Sequence, residues 1–249
     1  MLSNEWKLPL GYAGLIPTAN AMGYMLANPS SLIKDAVAFA KSKPDTHFVD
    51  IGAAYGVATQ YALEEGLEGV VAVEPGEEHI AYMQTQFVNK VNQFVCVCDS
   101  MPCQLPLEDD SVSVFLLSRV LHFFSKEEVE NSLVIMKRYL MPGGRFYVQT
   151  LSPYVKLFDS FILEFEAKVK ANEPAPGVIN NLQSYLGDKD AGHNPDFFHV
   201  FSVDTLQQVF IENGFNIIEA RYETSVVYPE SMKLDGREDV VLIAEYSGG

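Results

Sequence analysis

Val49-Asp50-Ile51-Gly52-Ala53-Ala54-Tyr55-Gly56-Val57-Ala58-Thr59 is the stretch from which the rest of the chain is read. A short run from Thr46 to Val49 leads into it and the helix-like run Val57 to Glu65 leads out, so it reads as strand, glycine turn, helix. Such a turn aims backbone N–H groups at whatever lies on it. Gly52 and Gly56 supply backbone freedom and carry no Cβ, so a ligand can lie directly against the chain.

An adenosine-containing ligand suits that geometry, and the spacing bears on which one. A dinucleotide fingerprint has the form G-x-G-x-x-G and seats a pyrophosphate on the helix N-terminus; the order here is G-x-A-x-G. Asp50, two residues before Gly52, suits a cationic ligand and would repel a pyrophosphate. At these residues the chain resembles the class I S-adenosylmethionine-dependent methyltransferases, whose first motif has the form D/E-x-G-x-G-x-G. Ala54 stands where that family has its middle glycine. The sulfonium and ammonium of S-adenosylmethionine would meet the demand of Asp50 for a cation. On this stretch alone, an ordinary tight turn between a strand and a helix is the competing reading.

The resemblance extends to three later positions. Glu74 lies 18 residues beyond Gly56, in Glu74-Pro75-Gly76 at the end of a second strand; the family's acid there accepts both ribose hydroxyls, and ionised acceptors make the stronger hydrogen bonds. Asp99-Ser100-Met101 follows a third strand. The resemblance implies an acid on the adenine amino group, a backbone N–H from the next residue, and Met101 beside the ring. Ser118-Arg119-Val120-Leu121-His122-Phe123-Phe124 follows a fourth strand, where the family's main chain holds the methionine part of the cofactor. The implied cofactor set is Asp50, Gly52, Ala54, Tyr55, Gly56, Glu74, Pro75, Asp99, Ser100, Met101, Ser118 and Arg119. His122 is the candidate general base, because its ordinary pKa lies near neutrality; beside two phenylalanines it reads equally as a packing residue. His193, His199 and Tyr55 stand behind it.

The composition narrows the alternatives. At 249 residues, 48% of them hydrophobic, with 16 Phe and 12 Tyr, the chain has ample material for one α/β core and does not read as disordered. A formal charge of −16 with scattered Lys and Arg argues against nucleic-acid substrates. No apolar run approaches a membrane span, and Met1 to Leu10 lacks the order of a signal peptide, so a cytoplasmic protein is expected. Cys96, Cys98 and Cys103 are too few and too close for a disulfide framework; Cys96 and Cys98, alternating with Val95 and Val97, read as small core residues, and no metal site is expected.

Along the chain, residues 1–44 read as an arm and a helix, the latter opening at Asn28-Pro29 and running to about Ser42. The arm is either packed on the core or a lid over the ligand. Residues 45–151 read as the cofactor-binding core: strands Gly69 to Val73, Phe94 to Cys98, Val112 to Leu117 and Arg145 to Leu151, with helices Glu77 to Val91 and Ser125 to about Leu140 between them. Met141-Pro142-Gly143-Gly144 is expected to end the last of these helices. Residues 152–200 form a helical cap insertion with one long helix from Tyr154 to Ala171 and an aromatic-rich loop. Residues 201–249 hold a helix, Ser202 to Asn213, and a final strand pair, Phe215 to Tyr222 with Asp239 to Tyr246. The expected fold is a single α/β domain: a doubly wound, mostly parallel seven-stranded sheet with a terminal antiparallel hairpin.

The function expected from these readings is methyl transfer from S-adenosylmethionine to a small acceptor with an apolar or aromatic part. Tyr12, Met22, Tyr24 and Met25 of the arm and Tyr154, Phe158, Tyr185, Phe197 and Phe198 of the insertion are expected to close over it, the competing reading being that these aromatics form a small core of the insertion's own. A binder of S-adenosylmethionine or S-adenosylhomocysteine that does not transfer the methyl group is the alternative. A nicotinamide oxidoreductase lacks its fingerprint here.

Overall fold

In the computed structural model, which describes residues 14–186, 195–224 and 227–248, the chain opens on a short antiparallel hairpin, β1 (Leu15–Pro17) and β2 (Tyr24–Leu26). Three-residue strands are too short for an alternating pattern to show in sequence. The connecting residues close on themselves, Thr18 donating to the Gly23 carbonyl at 3.0 Å and Ala21 to that of Thr18 at 3.2 Å. Helix α1 (Ser31–Lys41) follows, capped by the Ser30 hydroxyl, which accepts the Ile33 N–H. The cap expected at Asn28 therefore falls two residues later, where a hydroxyl sits one step before the apolar face Leu32, Ile33, Ala36, Val37 and Ala40.

Alternating strands and helices then build the sheet: β3 (His47–Ile51), α2 (Val57–Glu64), β4 (Val70–Val73), α3 (Glu77–Gln86), β5 (Phe94–Val97), β6 (Val112–Ser118), α4 (Lys126–Tyr139) and β7 (Leu140–Leu151). After an insertion come α7 (Val203–Glu212), β10 (Asn216–Glu223) and β11 (Asp239–Glu245). The order across the sheet is β10-β11-β7-β6-β3-β4-β5, parallel throughout except that β11 runs antiparallel to both β7 and β10. This is the expected doubly wound α/β sheet of seven strands with its terminal hairpin. Its inner strands are continuous apolar runs because both faces are covered: Val49, Ile51, Phe115 and Val148 face one core with α4 and α7, while Phe48, Val114, Leu116 and Tyr147 face the other with α1, α2 and α3. The Ser125 capping box opens α4, both of its hydrogen bonds being formed.

Several local expectations change. Helix α3 ends at Gln86, and Val88–Lys90 forms a separate 3-10 turn. Met141 to Gly144 lies within β7, where the pairing slips between Val112 and Val114, and Gly143 and Gly144 bond to Tyr246. Cys98 is exposed and Cys96 only half-buried, because β5 is an edge strand and Val95 is itself 53% exposed. Tyr154 to Ala171 is not one helix. A 3-10 turn covers Lys156–Phe158, and α5 spans only Ile162–Lys170. The preceding residues spend their N–H groups elsewhere, Ser152 donating to Glu238 and Lys156 to Met232. The rest of the insertion carries β8 (Val178–Ile179), α6 (Gln183–Leu186) and β9 (Phe198–His199), with β8 paired antiparallel to β9.

Phe158, Phe161, Phe165 and Phe198 are each about fully buried in a cluster of the insertion's own with Val155, Ile179 and Leu182. Gly177 closes that unit, its carbonyl accepting the Val200 N–H at 2.9 Å. A Cβ at Gly177 would stand 1.7 Å from the Val200 carbonyl oxygen. Gly177→Ala is therefore expected to destabilise the fold by about 2 kcal/mol or more, whereas Gly143→Ala, with open space around its Cβ position, costs only its backbone strain of about 1–2 kcal/mol. Urea denaturation of the two variants against the parent checks the difference.

Candidate cofactor and acceptor site

The chain runs outward from β3 to β4 and β5, then returns to the other side of β3 with β6. Where strand order reverses in this way, the loops at the carboxyl ends part and leave a crevice. A cavity of about 350 Å³ occupies it, within the range of small-molecule sites. Asp50 to Ala54 at the end of β3 and beyond it, Glu74 and Pro75 after β4, Asp99 to Met101 after β5, and Ser118 to Val120 at the end of β6 and beyond it all line it. Phe123 and Phe124 and the hairpin residues Thr18, Asn20, Met22, Tyr24, Met25 and Leu26 also line it.

Asp50, Gly52, Ala54, Glu74, Pro75, Asp99, Ser100, Met101, Ser118 and Arg119 thus come together in one wall. Tyr55 and Gly56 do not face the cavity. Tyr55 packs edge-on against His79 and Tyr82. Gly56 caps α2 at φ +76°, and a Cβ there would meet Met83 Sδ at 2.7 Å, so its lack of a side chain serves helix packing. Gly52, at φ +70°, has Val120 Cγ2 2.5 Å from its Cβ position. The contact that forbids a side chain at Gly52 is with the loop after β6. Ala54, in place of a glycine, still takes the left-handed conformation, at φ +47°.

Each acid is held differently. Asp50 is 3% exposed and accepts the Thr59 hydroxyl at 2.8 Å; burial pushes its pKa up to about 6, the Thr59 hydrogen bonds pull it down and Glu74 adds to the rise. Glu74 accepts three N–H groups, from Ala54 on Oε2 and from Gly76 and His79 Nδ1 on Oε1, each at 2.9 Å. Asp99 is exposed and accepts the Ser100 N–H on its own carboxylate at 2.8 Å, so the amide expected to face a base is already engaged. Arg119, at φ +62°, turns its guanidinium into a buried network: it donates to Tyr228 and to Asp239, which also accepts from Tyr228 at 2.9 Å and from Gln149 at 3.1 Å. Burial lowers the Arg119 pKa, but Asp239 and Tyr228 outweigh it and hold the guanidinium charged.

His122 is the main departure. It lies in a 3-10 turn, Leu121–Phe123, is 4% exposed, and puts Nδ1 3.2 Å from the Thr150 hydroxyl between the rings of Phe123 and Phe198. It does not line the cavity, and burial with the Arg119 charge pushes its pKa down to about 3. A group so weakly basic and so enclosed is out of position for a general base. His199 is likewise buried, its Nδ1 on the Phe124 carbonyl at 3.1 Å, with its pKa lowered to about 4, mainly by burial. His193 and Tyr12 lie outside the described residues. Phe158 and Phe198 belong to the insertion's core, Tyr154 packs on Phe165 and Tyr222, and Tyr185 packs on Phe161. Of the aromatic and methionine residues expected over the ligand, Met22, Tyr24 and Met25 line the cavity. Thr18 and Asn20 of the hairpin line the cavity and His79 stands behind Glu74, none of them expected there from the sequence. Only His79 left a sequence signal: a residue in the first turn of a helix leans back over the turn before it.

Residues 49–148 match the family model described as a methyltransferase domain. A search of curated proteins finds no match. Among solved structures, the chain is similar to a S-adenosylmethionine-dependent methyltransferase from Methanosarcina mazei at 16% identity, covering 88% of this chain and 98% of that one, with a TM-score of 0.62. It is also similar to the 1,6-didemethyltoxoflavin-N1-methyltransferase of Burkholderia thailandensis, solved with 1,6-didemethyltoxoflavin and S-adenosylhomocysteine (16% identity, 88% and 79% covered, TM-score 0.56). A third is the magnesium protoporphyrin IX methyltransferase of Synechocystis with bound S-adenosylhomocysteine (14%, 86% and 81% covered, TM-score 0.54). Residues 49–148 thus match a methyltransferase domain, and the sheet order gives the chain the α/β fold of these S-adenosylmethionine-dependent methyltransferases, whose methyl donor is S-adenosylmethionine.

The state of Asp50 generates two expectations. Its folded pKa of about 6 lies above the ordinary 3.8, so its contribution favours the fold fully below pH 4 and is lost as the pH rises through 6. Asp50→Asn should therefore raise the stability of the ligand-free protein at pH 7.5, by roughly 1–2 kcal/mol, as read by thermal denaturation. A bound cation draws the proton off Asp50, so S-adenosylmethionine affinity should fall about tenfold between pH 7.5 and pH 5. Calorimetric titration at the two pH values checks this, and the Asn variant should lose the pH dependence.

Proposed function

We propose that this chain transfers a methyl group from S-adenosylmethionine to a small molecule with an apolar or aromatic part. The observation that supports this reading best is the mixed lining of the cavity, where Asp50, Glu74 and Asp99 share one pocket with Met22, Tyr24, Met25, Leu26, Phe123 and Phe124. The acids suit a cationic donor, and the apolar residues suit an acceptor of low polarity. Asp50 would face the donor's positive charge, Glu74 the ribose, and Asp99 with Met101 the adenine; main-chain groups at Gly52 and Ser118 would hold the amino-acid part. Similar folds in the toxoflavin and porphyrin enzymes are named for small-molecule acceptors, which supports the class of acceptor proposed here.

The donor carries its methyl group on a sulfonium, already a good leaving group. What remains for the chain is to line up the acceptor, exclude water and let a proton leave. The hairpin and the Phe123–Phe124 side supply the enclosure, and no base is assigned to His122. The position of His122, turned into the core, also favours the second reading, a binder of S-adenosylmethionine that does not transfer its methyl group.

Titration with S-adenosylhomocysteine and, separately, with NAD tests the site; binding of the first and not the second is expected. Transfer of labelled methyl from S-adenosylmethionine to a panel of apolar and aromatic acceptors separates enzyme from binder. Glu74→Ala should weaken S-adenosylhomocysteine by about 1–3 kcal/mol. It should also lower stability, because three N–H groups lose their acceptor at once. An unchanged affinity would remove Glu74 from the ribose.

A further inference from the structure

We propose that His79 is a positioning residue that joins the N-terminal hairpin to Glu74, so that closure of the hairpin over the cavity and engagement of the donor's ribose are coupled. This rests on the reading of Glu74 as the ribose acceptor. His79 is the third residue of α3, and its side chain leans back over Glu74-Pro75-Gly76. Nδ1 lies 2.9 Å from Glu74 Oε1, and Nε2 accepts the Ala19 N–H at 3.0 Å. A backbone amide can only donate, so Nε2 is the bare nitrogen and Nδ1 carries the proton towards Glu74. The ring is 1% exposed and fixed edge-on by Tyr55 at 4.6 Å between centroids. It spans the hairpin turn and the acid with no slack at either end.

The occupancy of the carboxylate makes this contact matter to a ligand. An ionised carboxylate offers about four lone-pair directions. Gly76 and His79 take both on Oε1, and Ala54 takes one on Oε2. With the hairpin closed, a single direction on Oε2 remains, room for one of the two ribose hydroxyls expected at this acid, and the acid presenting it is held from three sides. Glu74 is thereby aimed by the same imidazole that holds the hairpin turn down. Opening the hairpin removes the partner of Nε2 and loosens the ring that aims Glu74; a ribose on Glu74 favours the closed arrangement in return.

Two variants cut the contact from opposite ends. His79→Phe keeps a flat ring beside Tyr55 and removes both hydrogen bonds. Ala19→Pro removes only the donor, at the second position of the turn closed by Ala21 N–H and the Thr18 carbonyl, a position that accepts proline. Each variant is expected to raise the dissociation rate of S-adenosylhomocysteine in stopped-flow by about 3–15-fold. The double variant should add little beyond the stronger single one, because both cut the same contact. In ligand-free protein, the Ala21 amide should exchange faster with solvent in both variants. Unchanged dissociation rates, or effects that multiply in the double variant, would overturn the coupling. Parent protein that fails to bind S-adenosylhomocysteine would instead overturn the donor reading, while unaltered hairpin exchange in the ligand-free variants would overturn the contact on its own account.

Discussion

A strand paired on both sides and covered on both faces is accessible only at its ends, and β3 is such a strand. β4 and β6 hydrogen-bond to its edges, and the two apolar cores cover its faces. Everything the protein can offer a ligand there must come from the turn after Ile51 and from the loops that end its neighbours. The reversal of strand order beside β3 sets those loops apart by the width of a small molecule. Asp50 sits at that end, desolvated by the core that makes the strand rigid. The same burial that stabilises the sheet raises the cost of its carboxylate, which a cationic ligand at that end would offset.

The second level of organisation is a set of polar ties at the cavity rim. Glu74 gathers the turn after β3 and the first turn of α3. Across the crevice, Arg119 and Asp239 tie the end of β6 to β11, with Gln149 from β7 and Tyr228 from the loop between β10 and β11. Buried polar groups of this kind are costly when unpaired and rigid when satisfied. Here they fix the two sides of the crevice, while the hairpin turn is tied to the rim by the Ala19 N–H on His79.

Much of this was legible in the sequence for a physical reason. Parallel strands buried on both faces are bound to be unbroken apolar runs, so β3, β4 and β6 declare themselves, and the acids that follow them fall at one edge of the sheet. The hairpin was not legible, because three residues per strand give no period. For the insertion the competing reading holds, because its aromatics, though placed near the ligand end, satisfy one another: Phe158, Phe161, Phe165 and Phe198 form a core of their own. Composition shows that aromatics are present and says nothing about which way they face. His122 failed for the same reason at the scale of one side chain, since a 3-10 turn at Leu121–Phe123 rotates it inward to Thr150. Gly52 and Gly56 were recognised as indispensable, but the atoms that make them so, in Val120 and Met83, come from segments remote in sequence.

The pairing of Arg119 with Asp239 has a consequence for turnover. Arg119 is the one lysine or arginine among the described residues lining the cavity, and its charge is already matched outside the crevice wall. The field inside is therefore set by Asp50, Glu74 and Asp99. A donor enters with a positive sulfur; the spent product leaves with a neutral one, having given up that charge with its methyl group. On the proposed function, the walls would hold the first more firmly than the second, so electrostatics would favour exchange of product for fresh donor.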